Sequence, residues 1–318
     1  MLSKPLVSII IPCKEIDNYT IECVEYCKHL DYSNFETILL PDYPTPAIDH
    51  VKVIATGPVA PGIKRNIGAK SSNGEFCAFI DNDAYPRGDW LTNALKHFED
   101  PQVGGVGGPG LTPKEDSFMQ KAGGYVLSSF MVGTLSSRYK TETCFESDDV
   151  HSCNFIARKS VLETAGWWNE KYWPGEDTLM CLAIKRLGKK LIESSDVVVY
   201  HHRRSLFKPH LKQVSRFGEH RGFFAKKFPE NSLKLTYFFP SLLISALITG
   251  MFLSVFFPLF KYVVLLGLLL YIALSLTAAA LQVKGTKLLL SVWLGIIATH
   301  LVYGSFFLSG LAKRDLKR

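Results

Sequence analysis

The chain has 318 residues, 36 of them Lys or Arg against 29 Asp or Glu, giving a formal charge of +7. That length carries one large α/β domain with an appendage. The cysteines Cys13, Cys23, Cys27, Cys77, Cys144, Cys153 and Cys181 include no Cys-x-x-Cys pair and no Cys/His cluster at zinc spacing, which excludes a disulfide framework or a zinc module and suits small core thiols in a reducing compartment.

Residues 6–11 form a continuous apolar run that predicts a buried first strand. The run is too short for the apolar core of a signal peptide, so the polar part of the chain is expected to stay in the cytosol. Pro12-Cys13-Lys14-Glu15 is the loop at its carboxyl end. Ile21, Val24, Cys27 and Leu30 then share a helical face, the strand Phe35–Leu40 ends on Pro41-Asp42, and a strand over 51–55 leads through a Pro/Gly loop to Gly62-Ile63-Lys64-Arg65-Asn66-Ile67-Gly68-Ala69. The run Phe76–Ile80 stops on Asp81-Asn82-Asp83. Two carboxylates one residue apart at a strand end can hold a divalent cation against a diphosphate, although such a triplet also serves as a plain solvated turn. Strand, helix and strand in this alternation predict a mostly parallel sheet with ligands at the carboxyl ends of its strands. Asp42, Asp81 and Asp83 all fall at such ends.

Further on, residues 104–110 (Gly-Gly-Val-Gly-Gly-Pro-Gly) are too glycine-rich for a regular element and lack the strand-to-helix context of a dinucleotide fingerprint; they read as a ligand-side loop. Gly175-Glu176-Asp177 opens a helix through Leu179, Leu182 and Leu187, so both acids suit its first turn on dipole grounds alone. A carboxylate there is also placed to act as a general base. A strand over 197–200 ends on His201-His202-Arg203-Arg204, and a neutral imidazole at a strand end can complete a metal's coordination.

From Arg203 to Lys234 nine Lys or Arg stand against Glu219 and Glu230, interleaved with apolar residues at helical spacing. This describes amphipathic helices at a membrane surface, a simpler reading than nucleic acid because the stretch leads straight into hydrophobic spans. No Asp, Glu, Lys or Arg lies between Lys234 and Lys261, between Lys261 and Lys284, or between Lys287 and Lys313. Each window is long enough to cross a hydrocarbon core as a helix, which takes about 20 residues. The expected organisation is an α/β catalytic domain at 1–202, basic interfacial helices at 203–234, membrane segments within 235–312 (about 235–260, 262–283 and 288–312), and a basic tail at 313–318. Three crossings would leave that tail opposite the catalytic domain, against the positive-inside tendency. The stretch 235–260, with Pro240 and Pro258 near its ends, is the expected re-entrant or interfacial hairpin.

In this order the features resemble the family 2 glycosyltransferases with a GT-A fold over roughly residues 5–225. The match rests on Val7-Ser8-Ile9-Ile10-Ile11-Pro12, Asp42, Lys64-Arg65-Asn66-Ile67-Gly68, Asp81-Asn82-Asp83, and the half from Asn154 through Gly166 to Gly175-Glu176-Asp177. Pro41-Asp42-Tyr43-Pro44 replaces the family's usual Asp-Asp-Gly-Ser. Gln213-Val214-Ser215-Arg216-Phe217 resembles a weakened Gln-x-x-Arg-Trp segment, with Phe217 in place of Trp favouring addition of a single sugar. Arg203-Arg204-Ser205-Leu206, Phe217-Gly218, Arg221 and 300–304 (His-Leu-Val-Tyr-Gly) are similar to membrane-anchored exopolysaccharide transferases of the succinoglycan glucosyltransferase type.

The resemblance implies a donor site from Pro12, Lys14, Glu15, Asp42, Lys64, Arg65, Asn66, Asp81, Asn82 and Asp83. It implies a Mn or Mg ion on Asp83 and Asp81 with His201, and an acceptor side from Gly107, Gly108, Gly175, Gln213 and Arg216. Asp177 is the expected base, supported by Glu176. One base and no second nucleophile implies inversion at the sugar carbon. The implied partners are a nucleotide-sugar donor, such as a UDP-sugar, a polyprenyl-linked saccharide acceptor and the membrane, with no nucleic acid. A polyprenyl-phosphate sugar synthase and a non-catalytic membrane scaffold are the alternative readings.

Overall fold

The computed structural model of the chain describes residues 4–132, 139 and 144–316. It divides into two compact units, residues 1–113 with 137–202 and residues 114–136 with 203–318. The second unit therefore takes residues 114–136 out of the stretch 1–202 that the sequence reads as one domain.

The first unit is built on an eight-stranded sheet. Strands β1 (Val7–Pro12), β2 (Phe35–Leu40), β3 (Val51–Val53) and β4 (Phe76–Ile80) run parallel in the order β3-β2-β1-β4. The sheet continues through β9 (Asn154–Arg158), antiparallel to both neighbours, to β6 (Val103–Gly107), β10 (Lys190–Glu193) and the short β8 (Phe145–Glu146). A small second sheet joins β5 (Ala84–Pro86), β11 (Val199–His201) and β7 (Gly110–Leu111).

Every residue of β1 is buried because the strand is central and covered on both faces, which is why its sequence is a continuous apolar run and not an alternation. Ile9 and Ile11 enter one core with Val24, Trp90 and Leu91, while Ile10 enters the other with Phe79, Phe155, Met180 and Ile184. The covering helices are α1 (Asn18–Lys28), α2 (Pro61–Lys70), α3 (Trp90–His97), α5 (Lys159–Thr164) and α6 (Glu176–Arg186). Asp17 caps α1 by accepting from the Thr20 amide at 2.8 Å, and α2 opens on proline, whose fixed φ suits a first helical position.

The glycine-rich stretch corrects the sequence reading. Gly104 and Gly105 lie inside the regular strand β6, Gly107 ends it and Gly108 follows it, so the stretch is not an irregular loop throughout. A Cβ on Gly105 would stand 2.7 Å from the Phe155 ring; one on Gly107 would meet Val150 at 2.2 Å and the Asn154 carbonyl at 2.5 Å; one on Gly108 would meet the Val197 carbonyl at 2.2 Å. The glycines let large side chains of neighbouring elements close over the strand.

The second unit is helical: α4 (Phe118–Ser128), α7 (Lys208–Lys227), α8 (Pro229–Ser232), α9 (Leu235–Phe256), α10 (Leu259–Ala280) and α11 (Thr286–Ala312). Ser117 and Gln120 form a capping box at the start of α4. The last three helices are long and apolar enough to cross a membrane. Residues 235–260 are not a hairpin by themselves, since α9 runs unbroken past Pro240. The tail residues 317–318 lie outside the described residues.

Gly107→Ala is expected to destabilise the first unit by about 1–3 kcal/mol, the range for overpacking a filled interior. Thermal unfolding of the detergent-solubilised chain checks it. A melting temperature unchanged from wild type would show that the space at Gly107 is not filled by Val150 and the Asn154 carbonyl.

Candidate active site

Strand β4 delivers Asp81 and Asp83 at its carboxyl end, and a tight turn, with the Ala84 amide donating to the Asp81 carbonyl at 3.0 Å, reverses the chain into β5. Asn82 faces away from the two acids. Its amide donates to Thr20 Oγ1 at 2.9 Å and reaches Asp17 Oδ1 at 3.4 Å, so the middle residue of the triplet pins the turn to the capped start of α1. Antiparallel pairing of β11 with β5 sets His201 opposite Ala84, and the His202 amide donates to the Asp83 carbonyl at 2.9 Å. His201 Nε2 thereby comes to 3.2 Å from Asp83 Oδ1.

One ligand atom each from Asp81, Asp83 and His201 lie within 4.8 Å of one another. Two carboxylates and one imidazole are hard and borderline donors that fit Mn or Mg better than a soft thiophilic ion. Burial works against charge on His201, but Asp83 and then Cys153 outweigh it and push the imidazole up to about 10, so a cation bound here would displace a proton. The neighbouring His202 turns elsewhere, Nε2 lying 2.8 Å from Glu22 Oε2 with its ring against Tyr19.

Helix α2 passes behind these groups, and three consecutive side chains fasten three parts of the unit. Lys64 Nζ donates to Asp42 Oδ1 at 2.5 Å, the Cys13 carbonyl at 2.8 Å and the Leu40 carbonyl at 3.1 Å, tying the ends of β1 and β2 together. Arg65, 2% exposed, places Nη2 2.8 Å from Asp81 Oδ1 and Nη1 2.8 Å from Glu176 Oε1, with its plane over Trp168. Asn66 donates to the Trp168 carbonyl and Glu170 Oε1 and accepts from the Trp168 amide, holding the loop that leads into α6. These side chains are committed to the protein. Beside the donor role expected of Lys64, Arg65 and Asn66, these partners give them a positioning role: they hold the strand ends and the loop around the site. Gly68 serves the same end, because a Cβ there would stand 2.7 Å from Ile10 and 2.8 Å from Leu40.

Gly175 has φ +113, a left-handed conformation that side chains disfavour, and makes the turn that starts α6 on Glu176 and Asp177. Glu176 is buried and Asp177 half-buried. Burial pushes the Glu176 carboxyl up, Arg65 pulls it back, and Asp177 beside it adds to the push, leaving it at about 7. Asp177 Oδ1 accepts from the Thr178 amide at 2.8 Å, and Thr178 Oγ1 donates to Asp149 Oδ1 at 3.2 Å.

Among the remaining expected residues, Pro12 ends β1, Lys14 and Glu15 are exposed in the loop after it, and Asp42 is half-buried at the end of β2. Cys13 in that loop is no nucleophile: burial, against the pull of Lys64, pushes its thiol up to about 12. Gln213 and Arg216 lie on α7, which belongs to the second unit. Sequence reasoning missed Glu22, Cys153 and Trp168. Only the Asp17/Thr20 pair that receives Asn82 left a readable trace, as an N-cap signal.

A model of glycosyl transferase family 2 matches residues 8–166, half of the chain. A glucuronosyltransferase of Methanococcus voltae, described as acting on dolichyl N-acetyl-α-D-glucosaminyl phosphate, is 26% identical over 271 residues, covering 79% of this chain and 84% of its own. Among solved structures, the Pyrobaculum calidifontis mannosyltransferase PcManGT, in complex with GDP-mannose and Mn2+, is similar with a TM-score of 0.57 at 16% identity, covering 99% of this chain and 89% of that one. GalNAc-T7 with UDP, GalNAc and Mn2+ is similar at a TM-score of 0.50 and 15% identity, over 73% of this chain and 52% of that one. The fold is that of the GT-A transferases, and with residues 8–166 matching the family's model the chain belongs to glycosyl transferase family 2.

Proposed function

We propose that this transferase moves a sugar, with inversion, from a nucleoside-diphosphate sugar to a hydroxyl of a polyprenyl-linked saccharide at the inner face of a cell membrane, in the building of a surface polysaccharide or glycan. The observation that carries the reading is the joining, through Arg65, of the Asp81/Asp83/His201 cluster to the Glu176/Asp177 pair: groups suited to a diphosphate and groups suited to a hydroxyl proton belong to one site. The described action of the Methanococcus voltae relative on a dolichyl-linked sugar and the three long apolar helices support a lipid-linked acceptor.

Asp81, Asp83 and His201 would hold a Mn or Mg ion, which when bound neutralises charge on the leaving diphosphate. Asp42, Lys14 and Glu15 border the place for the nucleoside. Asp177, the more exposed of the acid pair, takes the proton of the acceptor hydroxyl as its oxygen bonds to the anomeric carbon. The bond from that carbon to the diphosphate breaks on the opposite face, and the nucleoside diphosphate leaves with the electron pair. Glu176, clamped by Arg65, fixes the first turn of α6 and so the position of Asp177.

Asp177→Asn is expected to lower transfer of labelled sugar into the organic-extractable lipid of membranes by about 10²–10⁴-fold, the usual worth of a positioned base, while nucleotide binding persists. Mild-acid lability of the product then distinguishes a lipid-linked saccharide from a simple lipid phosphate sugar. Equal labelling by the variant would remove Asp177 from the chemistry. Chelation should abolish transfer and added manganese restore it, whereas Asp83→Asn should not be restored at the same concentration. Arg65→Met strands two carboxylates, one of them fully buried, and is expected to cost about 3–5 kcal/mol in unfolding free energy, beyond any loss of transfer. An unchanged denaturation midpoint would show that Arg65 faces ligand instead.

A further inference from the structure

The three apolar helices of the second unit differ in what surrounds them. Helices α9 and α10 are joined by Phe257 and Pro258 alone and pack as an antiparallel hairpin, close enough that a Cβ on Gly250 would meet Val264 at 2.5 Å. Each is 22 residues long, about 33 Å at helical rise. From residue 242 to residue 274 no residue is buried, and Val255 at the closed end is 76% exposed. Among the described residues, the side-chain contacts of the hairpin with α11 come from the halves of its legs nearer the open end.

That open end rests on α11, and the two legs meet it at different levels. On α9, Phe238 meets Phe307 edge to face and Ser241 Oγ donates to the Gly304 carbonyl at 3.1 Å. On α10, the Tyr271 hydroxyl lies 2.9 Å from His300 Nδ1, and Ser275 Oγ accepts from Trp293 Nε1 at 3.0 Å. A helix running alongside a hairpin meets the bases of both legs at one level. Here the contacts are displaced along α11 by roughly nine residues, on the order of 14 Å, somewhat more than the 8–10 Å between packed helices. Moreover, both legs meet α11 with residue numbers rising on the leg as they fall on α11, although the legs run in opposite directions. Both relations hold when α11 lies across the hairpin.

Helix α7 runs along α11 in the same direction. His210 Nε2 lies 2.9 Å from Thr299 Oγ1, the place for a Cβ on Gly218 is 2.6 Å from the Tyr303 carbonyl, that on Gly222 is 2.0 Å from the Phe307 carbonyl, and that on Gly310 is 2.0 Å from the Glu219 carbonyl. Lys226 Nζ donates to the Leu311 and Lys313 carbonyls, capping the end of α11, and Lys313 Nζ pairs with Glu219 at 2.6 Å. Glycine lets these two helix backbones pack in close contact. Yet α7 exposes Lys208, Lys212, Arg216, Lys226 and Lys227, and carrying such a charged face through hydrocarbon is costly.

Resting on the membrane reading above, we propose that the bilayer receives the α9–α10 hairpin alone, and that α11 lies with α7 along the surface from which the hairpin enters. The exposed apolar row Leu290, Leu294, Leu301 and Leu308 of α11 rests on acyl chains, while its opposite row, Val292, Ile296, Thr299, His300 and Phe307, is buried in protein. Lys234, Lys284 and Lys287 flank the hairpin and the start of α11 at headgroup level. The tail from Lys313 onward then lies on the same side as residues 1–234, and the conflict with the positive-inside tendency disappears.

The test is the side of the tail. Arg314, exposed, is changed to Cys in the full chain, and the native exposed Cys144 serves as the reference for the first unit. A membrane-impermeant maleimide is applied to sealed vesicles of each orientation, and labelled peptides are identified by mass spectrometry. The expected result is that both cysteines label in one orientation and both are protected in the other. Label on Arg314→Cys in the orientation that protects Cys144 makes α11 a third crossing and overturns the proposal. Carbonate washing of the same vesicles tests the membrane reading separately: release of the chain removes that reading, whereas retention with an oppositely placed tail removes only the arrangement of α11.

Discussion

The candidate site depends on one buried guanidinium. Arg65 stands between the carboxylate at the end of β4 and the carboxylate that opens α6, 2.8 Å from each, with no appreciable contact with water. Charges taken out of water are tolerated when paired and hydrogen-bonded, and the planar fork of arginine can serve two carboxylates at once where an ammonium on a flexible stem holds less geometry. The consequence is mechanical as well as electrostatic. Asp81 and Glu176 are 95 positions apart in sequence, and the distance between the two acidic clusters is set by the width of one side chain. The neighbours of Arg65 extend the same device. Lys64 fixes the mouths of β1 and β2, and Asn66 fixes the loop before α6, so a single turn of α2 determines where the loops around the site begin.

This arrangement explains what was legible in the sequence and what was not. The parallel strands could be read because buried central strands are written as continuous apolar runs, and the acids at their ends because ligand groups gather there. The grouping of Asp81 with Asp83 and His201, and the start of α6 on Glu176, follow the same logic. The protein partners of Lys64, Arg65 and Asn66 could not be read, because a basic helix residue beside a diphosphate site has the same local pattern whether or not it also pairs with a buried carboxylate far along the chain. Trp168 and Cys153 left no local trace for the same reason.

Glycine misled in the opposite direction. Four glycines in residues 104–108 read as an open loop, since glycine alone carries no hydrophobic signal for a strand. In β6 their use is to be small: Phe155, Leu191, Val150 and Ile184 occupy the space that side chains would take. The conformational freedom of glycine is needed at Gly175, where φ is +113, and its smallness on α7, where Gly218 and Gly222 admit the backbone of α11. One residue type thus serves three purposes, and only the identity of the packed neighbour separates them.

The same limit governs the apolar helices. Hydropathy counts the residues of a segment but carries no information about its direction, and α9, α10 and α11 satisfy the length and composition of a span alike. What separates α11 is its partners. A helix that buries Thr299 and His300 and is fastened through glycine to a lysine-bearing helix has its polar needs met on one face only, the condition of an element lying at an interface. Its composition and its neighbours are consistent if the apolar residues counted in the sequence meet lipid along one side of the helix instead of around its whole circumference. An odd number of apolar segments followed by a basic tail is then no topological conflict, because the number of crossings follows from packing and not from the count of hydrophobic windows.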